Sequence, residues 1–295
     1  MPERPEPGRA GTVAWPEGGL ARAEFVEEVR AQGALHYRDL PWRNVDDAYA
    51  VLVSEIMLQQ TQVARVAKYW ERFLAAFPTL DALAAAEPAE VLELWQGLGY
   101  NRRALALKRA ADVCAADFGG RLPETAEGLM ALPGIGPATA AGVTAFARNR
   151  PAVYVETNVR AVFIHCLFPE RDRVADREIV PLVADTCPPD DAREWYYALL
   201  DFGAHLKQAV ANPSRRSAHH ARQSAFAGSR RQKRAEVLRI VLGSPGVTAD
   251  VAHERLNEFE AAGGRGSVDR ALFESIVDDL VAEGFFGREG ETLRA

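Results

Sequence analysis

Cysteine is scarce in this 295-residue chain: Cys114, Cys166 and Cys187 stand 52 and 21 residues apart. An odd number at such wide spacing excludes a disulfide framework and a Cys-x-x-Cys metal site, and reads as reduced thiols in the helices of a cytosolic protein. Long apolar runs are missing too. No window reaches the ~18 uninterrupted apolar residues of a membrane span, so no membrane partner is expected. The 23 Gly and 17 Pro follow no period, which removes the collagen-like and low-complexity classes. The opening stretch, MPERPEPGRAGTVAWPEGG, lacks the apolar core and cleavage site of a signal peptide, and residues 1–19 read as a flexible tail. Strand-like alternation is almost absent. What is there is 48% hydrophobic and 26% charged, enough for a sizeable core in one large domain or two smaller ones.

Acidic residues are missing from one long stretch. The net charge is −6, yet Phe202 to Ala235 contains no Asp or Glu. Lys207, Arg215, Arg216, Arg222, Arg230, Arg231, Lys233 and Arg234 give that segment +8 and leave −14 on the rest. Such a local field acts on a polyanion within a Debye length, ~8–10 Å, whatever the global sum. Upstream, residues 20–210 read as consecutive short helices. Apolar residues recur at helical spacing from Val51 to Phe77, and Ala-rich pieces follow at 80–95, 102–118, 125–131, 137–148, 155–168, 176–186 and 190–208. The expected fold class is all-α. Residues 211–232 read as a basic loop or linker. Helices expected at 229–243, 248–262 and 267–284 are followed by a short apolar–polar–turn–apolar tail, which suits a small winged-helix-like domain over 233–295.

Three motifs carry chemistry. In LPGIG at 132–136 the glycines permit a tight hairpin, and Pro137 suits a first helical turn whose N–H groups and dipole favour a phosphate oxygen. Alone, the same turn could be merely structural. In SEIMLQQTQV at 54–63, Glu55 is flanked by Val53, Ile56, Met57 and Leu58 at a helix start. Ionising a carboxyl there is costly, so its pKa is expected above the ~4.3 reference, as a general acid near neutral pH requires. The plain alternative is an exposed glutamate capping a helix. Gln59, Gln60 and Gln62 add amides able to read base edges or wedge into a stack. In YVETNVRAV at 154–162, Glu156 and Asn158 sit at a helix start among valines. The segment is either a helix cap or a second carboxylate. Two carboxylates would suit glycosidic cleavage, one as acid for the leaving group and one as anion facing the oxocarbenium ion.

In order, SEIMLQQTQV, WQGLGYNRRA, LPGIGPATAAG and VETNVRAV resemble the helix–hairpin–helix DNA glycosylases, over about Leu40 to Lys207. LPWR at 40–43, MLQQTQV and GLGY at 97–100 resemble the adenine DNA glycosylase (MutY-type) branch in particular. The resemblance implies two helical subdomains and a monomer acting on double-stranded DNA in base-excision repair. The implied reaction is hydrolysis of adenine mispaired with 8-oxoguanine or guanine. The resemblance also implies site roles. Glu55 protonates the departing adenine, Glu156 is the anion at the sugar, and Asn158 stands beside it. Tyr100 enters the duplex, Gln60 is a wedge, and Trp42 and Arg43 edge the base pocket. Leu132, Gly134, Ile135 and Gly136 form the DNA-binding hairpin. These roles suit a flipped nucleotide and a filled stack.

The sequence departs from the family pattern in several places. Glu156 replaces the usual Asp and is one methylene longer. Ala138 stands where bifunctional relatives carry a nucleophilic Lys, so no Schiff base and no strand cleavage are expected there. The family's iron–sulfur cluster needs four cysteines after an Asp-x-Gly turn, but the stretch after Asp201-Phe202-Gly203 has none. No cofactor is expected. Arg215, Arg216, Arg222, Arg230 and Arg231 are expected to take over the phosphate contacts, and His219 and His220 read as backbone or phosphate contacts. Residues 233–295 stand where many adenine-branch enzymes carry an 8-oxoguanine-reading domain, which leaves the opposing base open. Two other readings compete: excision of thymine or uracil opposite guanine, and a non-catalytic DNA-binding module. Glu55 argues against the last, because a pure binder has no use for a carboxyl beside phosphates.

Overall fold

The computed structural model describes residues 13–218 and 225–295, and helices dominate it. The first helices are α1 (Arg22–Leu35), α2 (Ala48–Leu58), α3 (Val63–Ala76), α4 (Leu80–Ala85), α5 (Pro88–Trp95), α6 (Arg102–Asp117) and α7 (Ala126–Met130). Next come α8 (Pro137–Arg148), α9 (Thr157–Leu167), α10 (Asp176–Thr186) and α11 (Ala192–Ala209), with a 3-10 turn at Pro213–Arg216. The C-terminal elements are α12 (Arg230–Leu242), β1 (Val247–Thr248), α13 (Ala249–Ala262), α14 (Arg270–Ala282), β2 (Gly287–Glu289) and β3 (Thr292–Arg294). Thr79, Thr125, Ser229, Thr248 and Asp269 each accept a backbone N–H as side-chain caps, and Pro88 and Pro137 open α5 and α8. The helical run expected from Val51 to Phe77 is broken: α2 ends at Leu58, α3 starts at Val63, and Gln60 between them is left-handed at φ +56°.

The residues form two compact units, 1–51 with 136–221 and 52–135 with 222–295. Among the described residues the chain passes between them inside α2 and after Ile135. This differs from the linear division expected, with 20–210 as one domain and 233–295 as another. Within the second unit Arg102 at the start of α6 donates two bonds to Glu283, at 2.6 and 2.5 Å. Arg234 of α12 joins the same carboxylate at 2.8 Å.

In the first unit α11 is the central helix, with α1, α8 and α9 against it and Phe25, Phe163, Trp195 and Tyr196 buried. Residues 13–19 are ordered rather than a free tail: the Trp15 ring lies 6.0 Å from Phe25, and the following Leu20 N–H donates to the Cys166 carbonyl at 3.0 Å. The remaining tail residues, 1–12, lie outside the described residues. In the second unit α4 and α5 pack on α6 around Phe73, Trp95 and Leu107. Its C-terminal part runs helix, strand, two helices, two strands, with an antiparallel sheet in the order β1-β3-β2. That is the expected winged-helix-like order, added to an otherwise helical protein. Among the described residues no helix is long and apolar enough to cross a membrane.

Candidate active site

Glu55 sits in the last turn of α2, not at a helix start as expected, and is half-buried beside the buried Val53, Ile56 and Met57. Helices end with unsatisfied carbonyls. Here one distant side chain takes them. Arg103 Nη1 donates to the carbonyls of Ile56, Met57 and Gln59 at 2.8, 3.0 and 2.5 Å. Its Nη2 donates to Thr61 Oγ1 at 3.1 Å and to the Gly99 carbonyl at 2.9 Å. The guanidinium lies 5.6 Å from the Trp95 ring centre and 5.4 Å from that of Tyr100. Burial pulls it down to about 10, which leaves it charged at neutral pH.

This guanidinium ends α2, and it ties the Gln59–Thr61 turn to the Gly99–Tyr100 turn. Gln59 and Gln60 are exposed on the first, and Tyr100 is 40% exposed on the second at φ +50°. Arg231 donates to the Tyr100 hydroxyl at 3.2 Å. Sequence reasoning missed Arg103, because nothing local distinguishes it from its neighbour Arg102. Arg103→Ala would leave several carbonyls without their donor. It should lower stability by at least about 3 kcal/mol, at about one or more for each of the part-buried Ile56, Met57 and Gly99 carbonyls, read as a lower thermal midpoint.

The hairpin divides the roles given to its residues. Leu132 and Ile135 are 2% and 4% exposed, and the Ile135 N–H closes on the Leu132 carbonyl at 3.2 Å, so these side chains anchor the turn and offer DNA nothing. Gly134 and Gly136 are exposed. Gly134 needs glycine twice over: its φ is +75°, and a Cβ would lie 2.5 Å from that of Ala106. Gly136 provides no side-chain cap to α8, and the Ala140 N–H donates to its carbonyl at 3.0 Å.

In the first unit Glu156 is the N-cap of α9. The amide N–H groups of Asn158 and Val159 both donate to its Oε1, at 2.5 and 3.1 Å. The cap reading of this segment is the one the geometry shows. Burial pushes its carboxyl above the ordinary range, while Lys207, the two N–H groups and Arg160 pull it back. Asn158 touches α11 through its backbone: a Cβ on Gly203 would lie 2.3 Å from the Asn158 carbonyl oxygen. The Asp-Phe-Gly segment at 201–203 lies in the middle of α11, inside the helix expected over 190–208, with glycine where two helices meet.

Arg43 is not a base-pocket edge. It forms a bidentate pair with Asp201, both bonds at 2.7 Å, with the two side chains 1% and 0% exposed. Arg38 Nε donates to the same carboxylate at 2.5 Å, and the Tyr37 and Tyr197 rings lie against Arg43. Both terminal nitrogens are bound to Asp201 in a buried pair and are not presented to a base edge. Trp42 is likewise buried and presents no open face.

The basic segment is largely neutralised within the protein. Arg216 donates to the carbonyls of Ile164, Phe168, Pro169 and Arg171 at 3.3, 2.8, 3.1 and 3.0 Å, capping α9 rather than facing a phosphate. Arg230 pairs with Asp279 at 2.7 Å, Lys233 with Glu260 at 3.2 Å and Arg234 with Glu283. Arg215 is exposed. Arg222, His219 and His220 lie outside the described residues. Charge counting failed here because it ignores partners on α13 and α14.

The donors for an iron–sulfur cluster do not fit. Cys114 belongs to one unit and Cys166 and Cys187 to the other. Burial pushes the Cys114 thiol up to about 11 and Cys166 to about 12, away from the thiolate a cluster needs. After α11, the place is taken by the 3-10 turn, capped by Asn212 and held by Arg216.

Residues 53–182 match the model of the HhH-GPD superfamily of base excision DNA repair proteins. The adenine DNA glycosylase of Mycolicibacterium smegmatis is 37% identical over 279 residues, covering 87% of this chain and 94% of that protein. That of Mycobacterium tuberculosis is 39% identical over 172 residues, 57% of each chain. Among solved structures, a thermostable thymine-DNA glycosylase superposes with a TM-score of 0.56 at 26% identity, over 62% of this chain and 86% of that one. The chain belongs to the adenine DNA glycosylase family within the HhH-GPD superfamily of base-excision repair proteins.

Proposed function

We propose that this protein is a monofunctional DNA N-glycosylase of base-excision repair. It hydrolyses adenine mispaired with 8-oxoguanine or guanine, acting as a monomer on double-stranded DNA without an iron–sulfur cluster. The observation that carries the reading is its likeness to the Mycolicibacterium smegmatis adenine DNA glycosylase along nearly the whole of that protein. The target base must leave the stack before any group can reach its glycosidic bond. Tyr100, Gln59 and Gln60, joined by Arg103, supply a rigid ridge to fill the vacated space. Glu55 protonates the departing adenine, and Glu156 faces the positive charge that develops on the sugar while water attacks. Asn158 contributes the N–H that orients Glu156. Ala138 provides no amine, so the product is an intact abasic strand. Backbone groups of Gly134, Gly136 and the first turn of α8 hold a phosphate.

A base-release panel on duplexes carrying A·8-oxoguanine, A·G, T·G and U·G tests this. Free adenine from the first two is expected. Release of thymine or uracil instead would favour the second reading, which the thymine-DNA glycosylase likeness motivates. No release from any duplex would leave a binding module.

Phosphate contacts give a further expected result. Each contact contributes about 0.9 to the slope of log affinity against log salt. Arg215→Ala should therefore lower the slope by about 0.9, whereas Arg216→Ala should leave it unchanged and lower the thermal midpoint. Salt titrations and melting curves of both variants check the distinction.

A further inference from the structure

Lys207 was grouped by charge with the phosphate-facing arginines, but its surroundings assign it elsewhere. It is half-buried near the end of α11, four residues after Gly203 and so on the same helical face. Gly203 is where the α11 backbone meets Asn158, with 2.3 Å left for a Cβ, and Asn158 is two residues past Glu156. One turn of helix therefore carries the Lys207 side chain beside the α9 N-terminus. The other charges around Glu156 are committed. Arg160 is held by Asp176 in a bidentate pair at 2.8 and 2.7 Å, and Arg38 by Asp201. Among the described residues Lys207 makes no ion pair with any other carboxylate, and its ammonium stands beyond ion-pair distance of Glu156 itself. The N–H groups of Asn158 and Val159 both take Oε1, so Oε2 has no hydrogen-bond partner among the described residues.

We propose that Lys207 is a positioning residue for Glu156: its ammonium, set one helical turn past the Gly203–Asn158 contact, holds the longer carboxylate in place as the anion that faces the sugar. This rests on the reading of Glu156 as that anion. It also gives the extra methylene a physical setting, since the longer side chain caps α9 and still lies within the field of a half-buried cation. Attraction runs both ways: burial pulls the Lys207 ammonium down, Glu156 pushes it up and Arg38 pulls it down again. Glu156 feels Lys207 more than any other charge.

The test is single-turnover adenine release from an A·8-oxoguanine duplex by the wild type, Lys207→Met, Lys207→Arg, Glu156→Gln and the Glu156→Gln/Lys207→Met double variant, over a range of pH. Lys207→Met should slow release at neutral pH by about tenfold, the equivalent of one pKa unit. Its acidic limb should move to higher pH, because losing the cation makes Glu156 protonate earlier as pH falls. Lys207→Arg should restore most of the rate. In the Glu156→Gln background Lys207→Met should change nothing further. Equal losses in both backgrounds would mean a merely structural lysine and overturn the proposal, as would a Lys207→Met enzyme of wild-type rate and limb. A Glu156→Gln enzyme of wild-type rate would overturn the reading of Glu156, and Lys207's role with it. A slow Glu156→Gln beside a fast Lys207→Met overturns only the lysine.

Discussion

Glu55→Gln is expected to suppress adenine release by at least ~10²–10⁴-fold, the usual contribution of a general acid, while duplex binding stays nearly unchanged. The amide keeps the size and polarity of the carboxyl but has no acidic proton to give the leaving base. Because Glu55 is half-buried beside buried apolar residues, the variant must also be shown to fold. Its thermal midpoint should stay close to that of the wild type. A variant that binds, melts normally and still releases adenine at most of the wild-type rate would remove Glu55 from the mechanism. One that fails to bind would place it in recognition instead.

The position of Glu55 shows what a sequence can and cannot reveal. Its apolar neighbours at helical spacing were visible, and so was a helix around it. That the helix stops three residues later was not, because the cause is Arg103, 44 residues away from the last carbonyl it binds. Periodicity reports which face of a helix is buried, not which distant donor ends it. The C-terminal order of helices and wing was legible for the opposite reason: each turn there is set by local caps such as Thr248 and Asp269. Charge was the least informative signal. The +8 segment suggested a polyanion, yet Arg216 faces carbonyls, and Arg230 and Arg234 face α14. Composition counts charges, whereas field depends on the partners that folding supplies.

Asp201 is the clearest case of a partner hidden from the sequence, and the variant Asp201→Asn tests it. Its carboxylate is fully buried and accepts from Arg43 twice and from Arg38. Removing that charge leaves the Arg43 guanidinium buried without its counter-ion. Breaking one side of such a pair typically costs about 3–5 kcal/mol. At about 2–4 °C per kcal/mol for a protein of this size, the thermal midpoint should fall by roughly 10 °C. Arg43→Gln should lower it comparably, and the double variant should lose less than the two single losses combined, because neither charge is then stranded. A base-pocket role for Arg43 makes a different forecast: a normal midpoint with weakened adenine release at low duplex concentration. The sequence placed Arg43 at the base because LPWR resembles the adenine branch. In the folded chain the same four residues form a turn, closed by the Arg43 N–H on the Leu40 carbonyl at 2.9 Å, that delivers the guanidinium to Asp201 on α11. Melting curves of the three variants, set beside their release rates, decide which of the two Arg43 serves.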